Sequence, residues 1–197
     1  MTNDYSQPDF YRFNEDSIKL VRYVINKNLE STNVLDVCAG SGVIGIEYAQ
    51  LKKVKKLVFV ELQRDFQIHL HMNIQQFLSD DVETEVYITP LSKFYPEEKF
   101  DLILANPPYY LPDSGRISPD EKRAIARSFI IDGWESFFQL TLRSLSDNGK
   151  AFIVLKKDFK LQQFLSESCP KELIITIEEQ LDLIFVCFEH KLRSEFP

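Results

Sequence analysis

Val34-Leu35-Asp36-Val37-Cys38-Ala39-Gly40-Ser41-Gly42-Val43-Ile44-Gly45 reads as a buried strand, a glycine-rich turn and the first turn of a helix. Gly40, Gly42 and Gly45 have the spacing that lets a backbone turn tightly and approach a ligand closely. The spacing alone is weak, and its place between an apolar run and an amphipathic stretch gives it weight. A phosphate loop of the Gly-Lys-Ser/Thr kind is excluded, because Val43 follows Gly42. A nicotinamide-type site fits the glycines equally well, as does Glu61, which ends the next apolar run about 20 residues on, where ribose hydroxyls are held. Asp36 separates the two readings. A carboxylate at the strand-to-loop turn repels a pyrophosphate and suits a ligand with a cationic end. The ligand-contacting residues expected around this turn are Asp36, Cys38, Ala39, Gly40, Gly42, Gly45, Glu61, Leu62 and Asn106.

Outward from this turn, short apolar runs alternate with amphipathic stretches. Strands are expected at Asn33–Val37, 57–61, 83–89, Phe100–Ala105 and 151–155. Helices are expected at 16–29 with Asp16 as N-cap, at Val43–Leu51, and at 64–78, 120–128, 133–145 and 158–166. The 133–145 helix should stop near Asn148-Gly149. The runs 172–177 and 181–188 are too close for a helical crossover and should form a hairpin. The pattern predicts an α/β fold: a single Rossmann-like, seven-stranded sheet with a C-terminal antiparallel hairpin and helices on both faces. Residues 1–30 form an N-terminal lid and helix, and 31–197 the domain proper.

Asn106-Pro107-Pro108-Tyr109 follows the fourth strand, at the sheet edge where ligands of open α/β folds bind. A conjugated exocyclic amine, or an amide, is a poor nucleophile because its lone pair is delocalised. The Asn106 side-chain oxygen and the Pro107 carbonyl can each accept one of its N–H bonds and favour a pyramidal nitrogen, a stabilisation that grows as charge develops. Pro107 and Pro108 stiffen the loop, and Tyr109 offers a face on which a planar group can stack.

The glycine turn, Glu61 and Asn106-Pro107-Pro108-Tyr109 together resemble the class I amino-methyltransferases. The resemblance implies S-adenosylmethionine as cofactor, its cationic methionine end near Asp36, and Asn106, Pro107, Pro108 and Tyr109 as the reacting site. Within that group, DNA adenine methyltransferases add a target-recognition domain, and release-factor glutamine methyltransferases carry a long helical domain before the glycine turn. The small bacterial tRNA(Val) adenine-N6 methyltransferases are most similar. Their N-terminal pattern is echoed by Phe10-Tyr11-Arg12-Phe13-Asn14-Glu15-Asp16-Ser17-Ile18, and a later one by Arg123-Ala124-Ile125-Ala126-Arg127. The expectation is methyl transfer to the N6 amine of an adenine in RNA, tRNA foremost. The alternatives are a protein glutamine N5-methyltransferase and a cofactor-binding module without turnover. One departure stands out: relatives carry an acid after the third strand that contacts the adenine ring, whereas Ile88-Thr89-Pro90-Leu91-Ser92 has none, leaving backbone groups or Ser92 for that contact.

A net charge of −7 argues against non-specific polyanion binding, so RNA contact must rest on local cations. Arg116, Arg123 and Arg127, with Lys122, follow the reacting loop, and Lys156, Lys157 and Lys160 follow the fifth strand. Arg116, Arg123 and Arg127 are the expected phosphate rim, with pairing of Arg127 to Asp120 or Glu121 as the competing arrangement. Lys52, Lys53, Lys55 and Lys56 belong to a connection at the opposite edge. The aromatic segment with Tyr5, Phe10, Tyr11 and Phe13 could serve equally as a lid or as a substrate reader. Cys38, Cys169 and Cys187 have no Cys-x-x-Cys spacing, and His69 and His71 stand on different helix faces, so no metal site is expected. No apolar run approaches the roughly 20 residues that span a bilayer. Met1-Thr2-Asn3-Asp4 does not read as a secretory signal, and a cytoplasmic location is the expectation.

Overall fold

Successive residues of β1 (Asn33–Val37) serve opposite faces of a sheet that is covered on both sides, which is why the run is almost wholly apolar. The computed structural model describes residues 4–108, 120–127 and 132–191, residue 127 through its backbone alone. One seven-stranded sheet runs in the order β3-β2-β1-β4-β5-β7-β6. Its other strands are β2 (Lys56–Glu61), β3 (Glu83–Ile88), β4 (Phe100–Ala105), β5 (Leu145–Lys156), β6 (Leu173–Gln180) and β7 (Leu183–His190). β1 to β5 pair in parallel, and β7 is antiparallel to both β5 and β6. The architecture is the α/β, Rossmann-like one that the pattern predicts, closing hairpin included.

Helices α1 (Glu15–Ile25), α2 (Val43–Leu51) and α3 (Gln67–Phe77) cover one face, where Leu20, Ile46 and Leu70 belong to one core with Phe59, Leu102 and Leu104. After the short α4 (Glu121–Arg127), α5 (Trp134–Ser144) and α6 (Phe159–Ser168) cover the other, with Phe137, Phe138 and Leu161 in the core that holds Val58, Ile103 and Ile153. The chain winds outward from β1 to β3, then returns to lay β4 on the far side of β1. Val37 is level with Val60 in β2 and with Ala105 in β4. Cys38, Glu61 and Asn106 therefore leave three adjacent strand ends together, at the switch point where such sheets open a crevice.

Several boundaries differ from expectation for local reasons. α1 starts at Glu15, because Asn14 rather than Asp16 is its N-cap, its side chain accepting from the Asp16 amide at 3.2 Å. It stops at Ile25, where the amides of Lys27 and Asn28 bond to the Val24 and Ile25 carbonyls and Asn28 turns left-handed. α5 ends at Ser144, before Asn148-Gly149, which lie inside an extended β5. There the register with β4 slips from Phe100↔Leu145 to Leu102↔Lys150, a bulge in which a Cβ on Gly149 would stand 2.8 Å from the Phe100 carbonyl oxygen. The hairpin is longer than its apolar runs suggest and turns at Leu181-Asp182.

Asp36 is wholly buried beneath the glycine turn, its Oδ2 accepting from the Gly45 amide at 2.8 Å and its Oδ1 without a protein partner. Gly45 is required by this closeness: a Cβ there would come within 2.9 Å of the Phe59 ring and 3.0 Å of Asp36 Oδ2. Burial pushes the Asp36 carboxyl well above its ordinary 3.8, the Gly45 bond opposes this, and the Glu61 charge adds to it. The folded chain thus holds a proton that the unfolded chain releases, and stability falls as pH rises above the unfolded value. Urea denaturation at rising pH should show Asp36→Asn gaining on the natural chain once the pH passes the ordinary carboxyl value of 3.8, whereas a difference that stays constant throughout would contradict a raised carboxyl. Gly42, at φ 81°, would carry a Cβ only 2.4 Å from Leu70 Cδ1. Gly42→Ala should lower stability by about 2 to 4 kcal/mol in the same assay, from backbone strain plus overpacking.

Candidate active site

The crevice at the switch point has the glycine turn as its floor. Cys38, Gly40 and Gly42 all take positive φ, at 57°, 54° and 81°, so the chain curls between β1 and α2. Glu61 fastens this curl from the neighbouring strand. Its Oε2 accepts from the Gly40 amide and its Oε1 from the Gln63 amide, both at 2.8 Å, and the Leu62 amide adds a further bond. Burial raises the Glu61 carboxyl and the three amides pull it back. Cys38, Gly40, Glu61 and Leu62 line the crevice, while Ala39 and Gly40 line an adjoining hollow beneath the N-terminal segment. Asp36, Gly42 and Gly45 lie behind the turn, shaping it from within. The Cys38 thiol is pushed well above its usual 9.0 by burial and by the carboxylates of Glu61, Asp36 and Asp132, which rules it out as a thiolate nucleophile.

Asn106 reaches both hollows from the end of β4. Its Nδ2 stands 3.1 Å from the hydroxyl of Ser17, a buried residue in the first turn of α1. With the nitrogen so engaged, Oδ1 is the atom the side chain offers as acceptor. Asp16, one residue earlier, is also buried and receives Lys156 at 3.3 Å, so the start of α1 is moored to the ends of both β4 and β5. Pro107 is buried and Pro108 forms part of the crevice wall. Tyr109 and Arg116 lie outside the described residues, as does the side chain of Arg127, so its pairing with Asp120 or Glu121 is outside them too. Asp120 accepts from the Arg123 amide at 2.8 Å.

The N-terminal segment folds over the turn. Fully buried Asn73 of α3 accepts from the Ser6 amide and donates to the carbonyls of Ser6 and Ser41, which staples the segment to the glycine turn. Tyr5 is buried with its hydroxyl on Glu47 at 2.9 Å, and Phe13 meets the Tyr5 ring edge-on. Phe10 and Tyr11 meet Phe66 edge-on at 5.5 and 5.8 Å, and Tyr11 lines the crevice. On the far rim, Ile125 and Ala126 of α4 face the crevice, and Lys122 pairs with Asp65 and lies over the Phe10 ring. Gln63, with its amide turned to satisfy both contacts, donates to the Lys122 carbonyl and accepts from the Ala126 amide.

The expected cations divide. Arg123 and Lys160 are exposed, whereas Lys156 bridges Asp16 and Asp182 and Lys157 pairs with Glu179. At the opposite edge Lys56 sits among Glu83, Glu85 and Glu98. His69 is hydrogen-bonded to the Ser6 hydroxyl at 2.7 Å. Among the described residues no three His, Cys, Asp or Glu side chains gather as metal ligands do, and no helix is long and apolar enough to cross a membrane.

Two residues of the site escape a reading of the sequence. Ser17 stands there only within the N-terminal string, next to the cap that places it. Asp132 has no local signal: it comes from 41 residues beyond Leu91, is 6 % exposed, and accepts from the Leu91 amide at 2.6 Å and the Ser92 amide at 3.3 Å. The Leu91 and Ser92 amides after β3 are thus engaged, and a carboxylate from elsewhere in the chain stands beside them. Asp132 and Glu61 are the crevice's acids, and no Lys or Arg is among its described lining residues.

The methyltransferase small domain family matches residues 15–182. A tRNA1(Val) (adenine(37)-N6)-methyltransferase of Pedobacter heparinus is 27 % identical over 144 residues, which are 73 % of this chain and 59 % of that protein, so the chain spans less than two thirds of its length. A release factor glutamine methyltransferase of Leptospira interrogans is 30 % identical over 96 residues, 48 % of this chain and 34 % of that protein. Among solved structures, the ribosomal protein L11 methylase of Lactobacillus delbrueckii subsp. bulgaricus shares the fold, with a TM-score of 0.62 at 19 % identity over 92 % of this chain and 81 % of that one. The match covers both the glycine turn and Asn106-Pro107-Pro108-Tyr109, and the chain belongs to the methyltransferase small domain family.

Proposed function

We propose that the chain transfers a methyl group from S-adenosylmethionine to the exocyclic N6 amine of an adenine in RNA, tRNA foremost. The observation that carries the cofactor reading is the donor set of the crevice. Its walls offer carboxylate oxygens at Glu61 and Asp132 and no cation among the described residues, a surface that repels phosphates and suits a ligand bearing hydroxyls, amines and a positive centre. Glu61 would hold ribose hydroxyls through the second lone pairs of its oxygens, and Leu62 and Phe66 would flank the base. When bound, the cofactor supplies an electrophilic methyl group on a sulfonium.

The chain's own part is to orient the amine. Asn106 Oδ1 and the Pro107 carbonyl accept its two N–H bonds, drawing its lone pair out of conjugation and toward the crevice. Ser17, on Nδ2, holds the Asn106 amide in place. Tyr109 would stack on the target ring, and Pro107 and Pro108 would hold the loop stiff. Arg116, Arg123 and Arg127 would form the rim that meets phosphates. The tRNA-modifying relatives support an RNA substrate, and the glutamine-modifying relative supports the second reading, protein amide methylation by the same acceptors.

A tritiated-methyl transfer assay offering total RNA, DNA and release factor decides between them. Label is expected in RNA, and label in protein alone would overturn the RNA assignment. Asn106→Ala should reduce kcat by roughly 100- to 1,000-fold, the loss usual for a transition-state acceptor, with little loss of cofactor affinity. Arg123→Ala together with Arg127→Ala should weaken RNA binding and flatten its dependence on salt, the slope becoming shallower by about 0.7 to 0.9 for each phosphate the rim ceases to neutralise. Unaltered binding at low and moderate salt would remove these arginines from the rim.

A further inference from the structure

We propose that Lys156 is a positioning residue for methyl transfer: by gripping Asp16 it fixes the first turn of α1 and, through Ser17, the rotation of the Asn106 amide. The inference rests on the amine-orienting role given to Asn106 above, and adds the residues that decide where its acceptor points. By place in the sequence Lys156 belongs with the cations that could meet phosphate. Its surroundings give it another task. β5 pairs with β4 as far as Ala105↔Ile153 and runs on to Lys156, so the lysine leaves the sheet beside the strand end that carries Asn106. Its Nζ lies 3.3 Å from each Asp16 oxygen and 2.9 Å from the Asp182 carboxylate. An ammonium shared by two carboxylates has little attraction left for a phosphate.

The other end of the relay is buried. Asp16 is 5 % exposed, and its Oδ2 also accepts from Asn14 Nδ2 at 2.7 Å. Further along, α1 is held by apolar packing: Tyr23 stacks on Phe185 at 4.3 Å, and Leu20, Val21 and Val24 belong to the core. Packing of that kind keeps a helix against a sheet yet tolerates small slides along it. The ion pair at the first turn removes this freedom. A buried carboxylate stripped of its cation is strongly destabilised, so Asp16 without Lys156 would move toward water and take Ser17, the next residue, with it. Ser17 accepts from Asn106 Nδ2 at 3.1 Å, so a shift of its hydroxyl turns the amide and carries Oδ1 off the line to the amine. An acceptor that works by direction is sensitive to so small a change.

Steady-state methyl transfer to the RNA that takes the label, measured over a range of salt, tests this. Lys156→Met should lower kcat roughly 10- to 100-fold, as misplacements of up to about 1 Å do, with KM for RNA, its salt dependence and S-adenosylhomocysteine affinity as in the natural chain. Ser17→Ala should lower kcat similarly, and the two changes together should cost no more than the larger alone, because both act through one amide. Losses that multiply would overturn the relay. A natural kcat with a raised KM and a flatter salt slope would overturn it as well, making Lys156 a phosphate contact. Should the lone Asp16 charge keep Lys156→Met from folding, Asp16→Asn with Lys156→Met removes the pair and leaves no buried charge. That double variant should show the same kcat loss, and natural turnover in it would overturn the proposal. Full turnover of the Lys156 variants beside a crippled Asn106→Ala would overturn this proposal alone, whereas absence of label in RNA from the natural chain would overturn it together with the function on which it rests.

Discussion

Parallel pairing of β1 with β4 across the topological switch is the constraint on which the rest depends. With Val37 level with Ala105, the glycine turn and Asn106 emerge from adjacent strands, a strand spacing of about 4.8 Å apart. The pairing of Val37 with Val60 brings Glu61 to the same edge. A one-residue slip would turn every side chain of β4 to the opposite face and destroy both cores, so the register is held by burial rather than by the site. Glu61 then couples the two loops that the register brings close, since one carboxylate accepts from both Gly40 and Gln63.

The electrostatics of the crevice follow from what lines it. Buried carboxylates whose charge is met by backbone amides rather than by lysine or arginine leave a surface that prefers hydrogen-bond donors and positive charge. The chain's overall charge of −7 agrees with this interior and sits uneasily with an RNA partner. The rim shows how far the two can coexist. Lys122, Lys156 and Lys157 are engaged with Asp65, Asp16 and Asp182, and Glu179, so they hold structure together, whereas Arg123 and Lys160 stand exposed.

Elements whose identity rests on periodicity are legible in the sequence alone. β1, α2 and β4 have the limits that their apolar runs suggest, and the strand-turn-helix around Gly40 follows from its glycines. What the sequence conceals depends on contacts between distant residues. Asn14 displaces Asp16 as the cap of α1 because Asp16 turns inward to Lys156, 140 residues on. The β5 bulge depends on how Gly149 meets the Phe100 carbonyl. Asp36 reads as a wall of the ligand site, but the pleat turns it behind the glycine turn onto Gly45. The acid that argues against phosphate is therefore carried by Glu61 and by Asp132, which no local pattern marks.

The most direct test of this account asks which ligand the crevice accepts. Titration calorimetry of the natural chain against S-adenosylhomocysteine and, separately, against ADP compares a nucleoside without phosphates with one that carries two. The account predicts saturable binding of S-adenosylhomocysteine and no measurable heat from ADP. Binding of ADP in preference would contradict it, because a crevice lined by Glu61 and Asp132 without a compensating cation among its described residues should not hold a pyrophosphate.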